Sequence, residues 1–309
     1  MSLLIVGTVA FDAIETPFGK TDKIIGGAAT YISLAASYFT KQLSIVSVIG
    51  DDFPQDYIKL LKDRSINLDG LQIKKGEKSF FWAGKYHNDM NTRDTLITEL
   101  NVLADFDPVV PENMKEPDFV MLGNLTPMVQ KKVIDQLKRR PKLIVMDTMN
   151  FWMNVAWDDL IQTISMVDVL TINEEEARQL TKEYSLARAA QKILTMGPKY
   201  LIIKKGEHGA LLFDKNNMFF APAIPLEEVF DPTGAGDTFA GGFIGFLDKT
   251  KNISFENMKR AIIYGSALAS FTVEKFGTEK LIDLNHKEIE ERIQMFVELV
   301  KFSVSLGNH

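Results

Sequence analysis

Phe230-Asp231-Pro232-Thr233-Gly234-Ala235-Gly236-Asp237-Thr238-Phe239, continued by Ala240-Gly241-Gly242-Phe243, is the stretch around which the rest of the chain can be placed. Gly234, Ala235 and Gly236 are too small to shield their own backbone N–H groups. The apolar residues that follow, Phe239, Phe243, Phe246 and Leu247, repeat at helical spacing. This pattern predicts a tight turn feeding a helix. Such a turn presents unpaired N–H donors at the positive end of the helix dipole, a ready site for phosphate or another anion. Asp237 then lies inside an anion site, where a carboxylate is electrostatically costly. Proton transfer supplies a reason for it: a base that takes the proton of a hydroxyl as its oxygen attacks a phosphorus held by the turn. The simpler alternative makes Asp231 and Asp237 cap or turn residues.

The string DPTGAGDTF resembles the C-terminal signature of the PfkB, or ribokinase-like, family of small-molecule kinases, D-T-x-G-A-G-D-x-F, with Pro232 in place of the usual Thr. The resemblance implies a three-layer α/β domain of ribokinase-like, Rossmann-like type, with a mostly parallel central sheet and a small β lid. One kinase domain would span 1–309, its lid built from about 11–27 and 68–108. The implied reaction transfers the γ-phosphoryl group of ATP, carried with Mg²⁺, to a hydroxyl of a sugar or sugar-like acceptor. In it Asp237 is the general base, and Gly234, Ala235 and Gly236 neutralise charge on the migrating group.

Composition agrees with an ordinary soluble globular protein. The 309 residues can bury a sizeable core, with 46% apolar and 25% charged residues. A net charge of −6 argues against nucleic acid or an anionic membrane as partner. With no cysteine, disulfides, thiolate metal sites and a cysteine nucleophile are excluded, and His87, His208, His286 and His309 show no metal-ligand spacing. No apolar run approaches a membrane span, and the chain enters Leu3-Leu4-Ile5-Val6 without a basic region or cleavage site, so a cytoplasmic protein is expected.

Along the chain, Leu3 to Val9 reads as a buried strand. Asp12, five residues after Gly7, is a turn aspartate or, by the family pattern G-x-x-x-x-D, the acid that holds sugar hydroxyls. Gly19-Lys20-Thr21 fails as a nucleotide P-loop, because the first glycine of that motif would fall on Ile14. Gly26-Gly27 precedes an amphipathic run and resembles the family's G-G motif at the head of a helix lining the acceptor pocket. Tyr31 stands where sugar kinases usually carry Asn, and either stacks on a ring or belongs to the core. Pro54 reads as the first residue of a helix. Between about Leu68 and Pro108 the β-rich stretch Lys78 to Tyr86 lacks a following helix and is assigned to the lid, where Phe81, Trp82 and Arg93 are candidate acceptor contacts beside the alternative of ordinary packing.

From Asp118 strands and helices alternate, which implies a parallel sheet covered on both faces, with ligands beyond the carboxyl ends of its strands. Asn124, Asp147 and Asn173 fall at those ends. Asn173-Glu174-Glu175-Glu176 is a good capping box; it also matches the family's N-x-x-E, which implies that Asn173 and Glu176 organise Mg²⁺ and its waters at the nucleotide. Asp147 and Asn150 approximate the family's D-x-N stretch at a spacing of three. Lys205-Gly206-Glu207-His208-Gly209 reads alone as a hairpin turn, and by resemblance as the loop bordering ATP. Ala261 to Ser270 and Phe276-Gly277 resemble the segment closing the adenine pocket, where an acid equivalent to Asp231 also holds a monovalent cation such as K⁺ in many relatives. The last helix is expected from Asn285 to about Phe302.

Two other assignments remain open at this stage. Tyr31 and the aromatic lid suit a nucleoside or vitamin precursor as acceptor, and a non-catalytic sugar- or nucleotide-binding regulator could use the same fold. An exposed β surface on the lid would permit a homodimer.

Overall fold

A computed structural model describes residues 2–301 and 303. The N-terminal part contains β1 (Leu3–Val6), β2 (Ala10–Thr16), β3 (Gly19–Lys20), β4 (Ile24–Gly26), α1 (Ala28–Ala36), β5 (Leu43–Gly50), α2 (Gln55–Asp63), β6 (Ile66–Lys74), β7 (Phe81–Tyr86) and β8 (Arg93–Glu99). The middle contains β9 (Phe119–Leu122), α3 (Pro127–Asp135), β10 (Leu143–Asp147), α4 (Asn150–Val155), α5 (Trp157–Ile164), β11 (Val169–Asn173), α6 (Glu174–Thr181) and α7 (Leu186–Leu194). It ends with β12 (Tyr200–Lys204), β13 (Ala210–Phe213), β14 (Met218–Ala221), α8 (Ala235–Thr250), α9 (Phe255–Thr272), α10 (Glu279–Asp283) and α11 (His286–Val300).

Nine strands form one sheet in the order β14-β13-β12-β11-β10-β9-β1-β5-β6. All neighbours from β12 to β6 run parallel, and β13 and β14 close one edge as antiparallel strands. Continuous apolar strands suit this arrangement because both faces are covered. Along β1, Leu3 and Ile5 pack with residues of α1, α8 and α9, while Leu4 and Val6 pack with residues of α3, α5 and α7. Two apolar cores on opposite faces of one sheet make the three-layer α/β fold. A second, five-stranded sheet is formed by β3-β2-β7-β8, with β4 paired to β2.

Several expected boundaries move. The first strand ends at Val6, and Asp12 lies on β2 of the small sheet. Pro54 is the extended N-cap of α2 and not its first helical residue. Residues 68–74, expected in the lid, belong to β6, which runs parallel to β5 at the edge of the large sheet; the small sheet takes its second segment from Phe81–Glu99. The short helix α4 precedes the expected helix near Trp157. The final helix ends at Val300, and Phe302 lies outside the described residues.

Candidate active site

The Phe230–Phe239 stretch forms the expected turn at the head of α8. Gly234 is its N-cap, with φ 74° and ψ 0°, a left-handed conformation that favours glycine. A Cβ there would also stand 2.4 Å from the ring of Tyr31. Tyr31 is 1% exposed and its hydroxyl has no hydrogen-bond partner among the described residues. Of its two expected roles the structure gives it the core one: the ring is a floor beneath the turn, not an open stacking surface.

The two acids of the motif behave differently. Asp231 is fully buried, and its carboxylate accepts the N–H groups of Thr233 at 2.8 Å and of Gly277 at 2.9 Å. It therefore fastens the turn to the segment after α9. Thr233 in turn donates its hydroxyl to that of Tyr86 on β7, at 3.2 Å. Asp237 lies in the first turn of α8, and no hydrogen bond to its carboxylate is found among the described residues. Asp231 thus behaves as a turn residue, while Asp237, an acid in the first turn of a helix where the dipole favours negative charge, makes no capping hydrogen bond among the described residues. Burial and the nearby charge of Asp147 push Asp237 up to about 7, against the opposing pull of Lys204 and Arg93.

Below the turn, the carboxyl ends of three neighbouring strands deliver Asp147 from β10, Asn173 from β11 and Lys204 from β12. The Lys204 ammonium contacts Asp147 Oδ2 at 2.6 Å, and it lies 3.2 Å from where a Cβ on Gly236 would be. Burial disfavours the charge of Lys204, but Asp147, Glu176 and Asp237 outweigh it and hold its pKa above the usual lysine value. Asn173 and Glu176 form a reciprocal capping box, each side chain accepting the other's backbone N–H at 2.8 Å. Burial raises Glu176 to about 7, with Asp147 adding to the effect. Asn124 is drawn aside, its side-chain oxygen accepting the indole N–H of Trp152 on α4 at 2.9 Å.

Facing the turn, Asp12 is 5% exposed and pushed up to about 7 by burial and by the charges of Asp231 and Asp237. A Cβ on Gly26 would fall 1.8 Å from Asp12 Oδ2, so this glycine makes room for the carboxylate; Gly27 caps α1. Asp12 pairs across strands with Trp82, and Tyr86 with Arg93. Opposed residues share a face, so Asp12, Trp82, Tyr86 and Arg93 stand on one side of the small sheet, and Phe81, one residue along from Trp82, on the other. The Trp82 indole N–H reaches Thr95 at 3.3 Å, and Arg93 sits 5.8 Å from the indole centre. Lys205 to Gly209 form the β12–β13 hairpin, with Gly206 and Gly209 at positive φ, and Asn91 of the β7–β8 loop approaches Gly206. Gly277, at φ 58°, packs against Ile24 of β4.

Lys204 was not singled out from the sequence. Its signal was there: a lysine at the carboxyl end of an otherwise apolar parallel strand, where ligands collect.

A small-residue turn at a helix N-terminus, beside a carboxylate with no hydrogen bond among the described residues and facing Asp12 of the small sheet, suits phosphoryl transfer in an α/β enzyme. The chain belongs to the pfkB family of carbohydrate kinases, whose pattern matches residues 3–284. It is 29% identical over 248 residues to a cytidine kinase from Thermococcus kodakarensis, covering 79% of this chain and 87% of that protein. It is 31% identical over 299 residues to a ribokinase from Haemophilus influenzae, covering 89% and 90%. A solved structure from E. coli in complex with ATP and Mg²⁺ shares the fold, with a TM-score of 0.78 at 20% identity, covering 95% of this chain and 99% of that one. No helix among the described residues is long and apolar enough to cross a membrane.

Proposed function

We propose that this protein uses Mg·ATP to phosphorylate a hydroxyl of a small sugar or sugar-like acceptor, with Asp237 as general base. The observation that carries this reading is Asp237 itself, a carboxylate without hydrogen bonds among the described residues, beside the Gly234–Gly236 turn and raised to about 7. As the acceptor oxygen bonds to the γ-phosphorus, its proton passes to Asp237. The bond from phosphorus to the β,γ-bridging oxygen breaks, and its electron pair leaves with ADP. The Gly234, Ala235 and Gly236 backbone meets the charge of the migrating group, while Asp12 orients acceptor hydroxyls. Lys205, Gly206, Gly209 and Gly277 border the nucleotide, and the small sheet serves as lid.

The donor set fits a Mg²⁺ brought in by the nucleotide. Among the described residues no group of three His, Cys, Asp or Glu is placed to hold a metal alone, while Glu176 keeps one carboxylate oxygen outside its capping box. Mg²⁺ commonly binds through one or two carboxylates plus phosphates and water. When bound it would neutralise charge on the β- and γ-phosphates. Glu176→Gln and Asn173→Ala should each raise the Mg²⁺ concentration needed for half-maximal activity; an unchanged titration would leave both as plain capping residues. Asp231, buried without a cationic partner among the described residues, also fits a monovalent cation, for which rate stimulation by K⁺ over Na⁺ is the test.

A nucleoside acceptor is the second reading, favoured by the half-buried Trp82 on the face of Asp12. Incubation with Mg·ATP and a mixture of sugars and nucleosides, followed by mass spectrometry of phosphorylated products, separates the two. No phosphorylated product from either class would count against both. An ATP-dependent reaction suits the cytoplasm, and the exposed Leu96 and Ile97 on β8 would let two molecules pair through the lid, which light scattering tests.

A further inference from the structure

We propose that Lys204 is a catalytic residue of the phosphoryl transfer, its ammonium engaging the oxygens of the migrating γ-phosphoryl group beside the Gly234–Gly236 turn. The inference rests on the kinase reading above and adds a residue to it.

Lys204 continues a strand whose Leu201, Ile202 and Ile203 are fully buried. A lysine in such a place is costly unless it is paired or used. Asp147 pairs it at 2.6 Å, with side-chain exposures of 19% and 7% for the lysine and the acid. Ion pairs this enclosed stabilise a fold little more than apolar residues of the same volume would, so stability alone does not explain the pair. The ammonium carries three N–H donors. Among the described residues only the one to Asp147 is spent.

The two remaining donors have an evident target. Nζ is 3.2 Å from the position of a Cβ on Gly236, so the missing side chain leaves the cation and the backbone of the turn sharing one space. Asp237 is the next residue. Base, turn and cation therefore border the same volume. Charge on a migrating phosphoryl group is spread over three equatorial oxygens, more than one set of backbone donors can meet from one side. As the acceptor oxygen–phosphorus bond forms and the bond to the β,γ-bridging oxygen breaks, Lys204 donates hydrogen bonds to those oxygens and keeps its proton, while the acceptor proton goes to Asp237. Asp147 is the positioning residue that holds the ammonium in place.

The test needs no acceptor. Calorimetric titration of the full chain with Mg·ADP and with the Mg²⁺ complex of the β,γ-imido analogue of ATP measures how much affinity the γ-group adds. In the wild type the imido analogue should bind more tightly. Lys204→Met should lose roughly 10-fold of that preference, the scale of one charge-assisted hydrogen bond, with Mg·ADP affinity nearly unchanged. A Lys204→Met variant that keeps the wild-type preference, or that weakens both probes in parallel, overturns the proposal. Should that variant fail to fold, the Lys204→Met, Asp147→Asn double variant, which leaves no buried charge unpaired, is read in the same way. A wild type that binds both probes equally also overturns it. A wild type that binds neither contradicts the kinase reading as well, so the two failures are distinguishable.

Discussion

At the head of α8 the turn is fixed from several sides. Asp231 is held by two amides, Gly234 rests on the Tyr31 ring, and Thr233 is tied to Tyr86. The outer edge of the small sheet opposite is more open, although β2 beneath it is largely buried. Its strand β8 is exposed along its whole length, and among the described residues the Trp82 indole N–H bonds Thr95 at 3.3 Å while Arg93 contacts the Trp82 ring. Charge stabilisation depends on donors that need not reorganise during the reaction, which a rigid turn supplies. Acceptor selection tolerates a surface that can vary. On the proposed reading, the chemistry lies in the turn and acceptor selection in the sheet.

The sharpest way to break this contrast is to disturb the floor of the turn. Gly234→Ala forces a β-carbon into the Tyr31 ring at a positive φ. It should cost ~3 kcal/mol or more in stability and most of the activity, measured by chemical denaturation and turnover. A near-neutral Gly234→Ala would mean that the turn is not under this constraint.

The electrostatics of the turn predict an effect of pH. Asp237, Asp12 and Glu176 all titrate near 7 in the folded protein, well above their unfolded values of 3.8, 3.8 and 4.5. The folded state thus holds more protons than the unfolded chain between about 4 and 7. Stability from these groups is complete below their unfolded pKa values and is lost as pH rises through about 7. The base needs its ionised form, so kcat/KM should rise with pH through the same range. Activity and stability should move in opposite directions from pH 5 to 8, and Asp237→Asn should melt higher than the wild type at pH 8. Parallel profiles would remove Asp237 from this role.

Tyr31→Phe deletes a buried hydroxyl that has no partner among the described residues. It should stabilise the protein by about 1 kcal/mol without changing acceptor KM. A raised KM would instead return Tyr31 to the acceptor site. Thr233→Val loses the link to Tyr86 and should cost ~1 kcal/mol and a few-fold in kcat. A larger fall in kcat would show that the small sheet, too, takes part in positioning.

The same contrast explains what was legible in the sequence. The alternation of strands and helices from Asp118 implied a doubly covered parallel sheet, and its strands β1, β10 and β12 are apolar along nearly their whole length, as strands buried on both faces are. β6 was misassigned for the converse reason: Ile66–Lys74 is an edge strand with mixed polarity, and local composition does not separate it from a lid. Asp237 stood out because its neighbours in sequence are also its neighbours in the site. Lys204 did not, since its meaning comes from Asp147 and Gly236, both remote along the chain. Tyr31 was undecided for a similar reason, its partner being Gly234.

The central claim is tested most directly by comparing Asp237→Asn with the wild type for ADP release from Mg·ATP, once an acceptor is in hand, with ATP affinity measured on both. With Asp237 as the base, turnover should be lower by at least ~10²-fold in the variant, with ATP binding nearly unchanged. A variant that keeps near-normal kcat would contradict it.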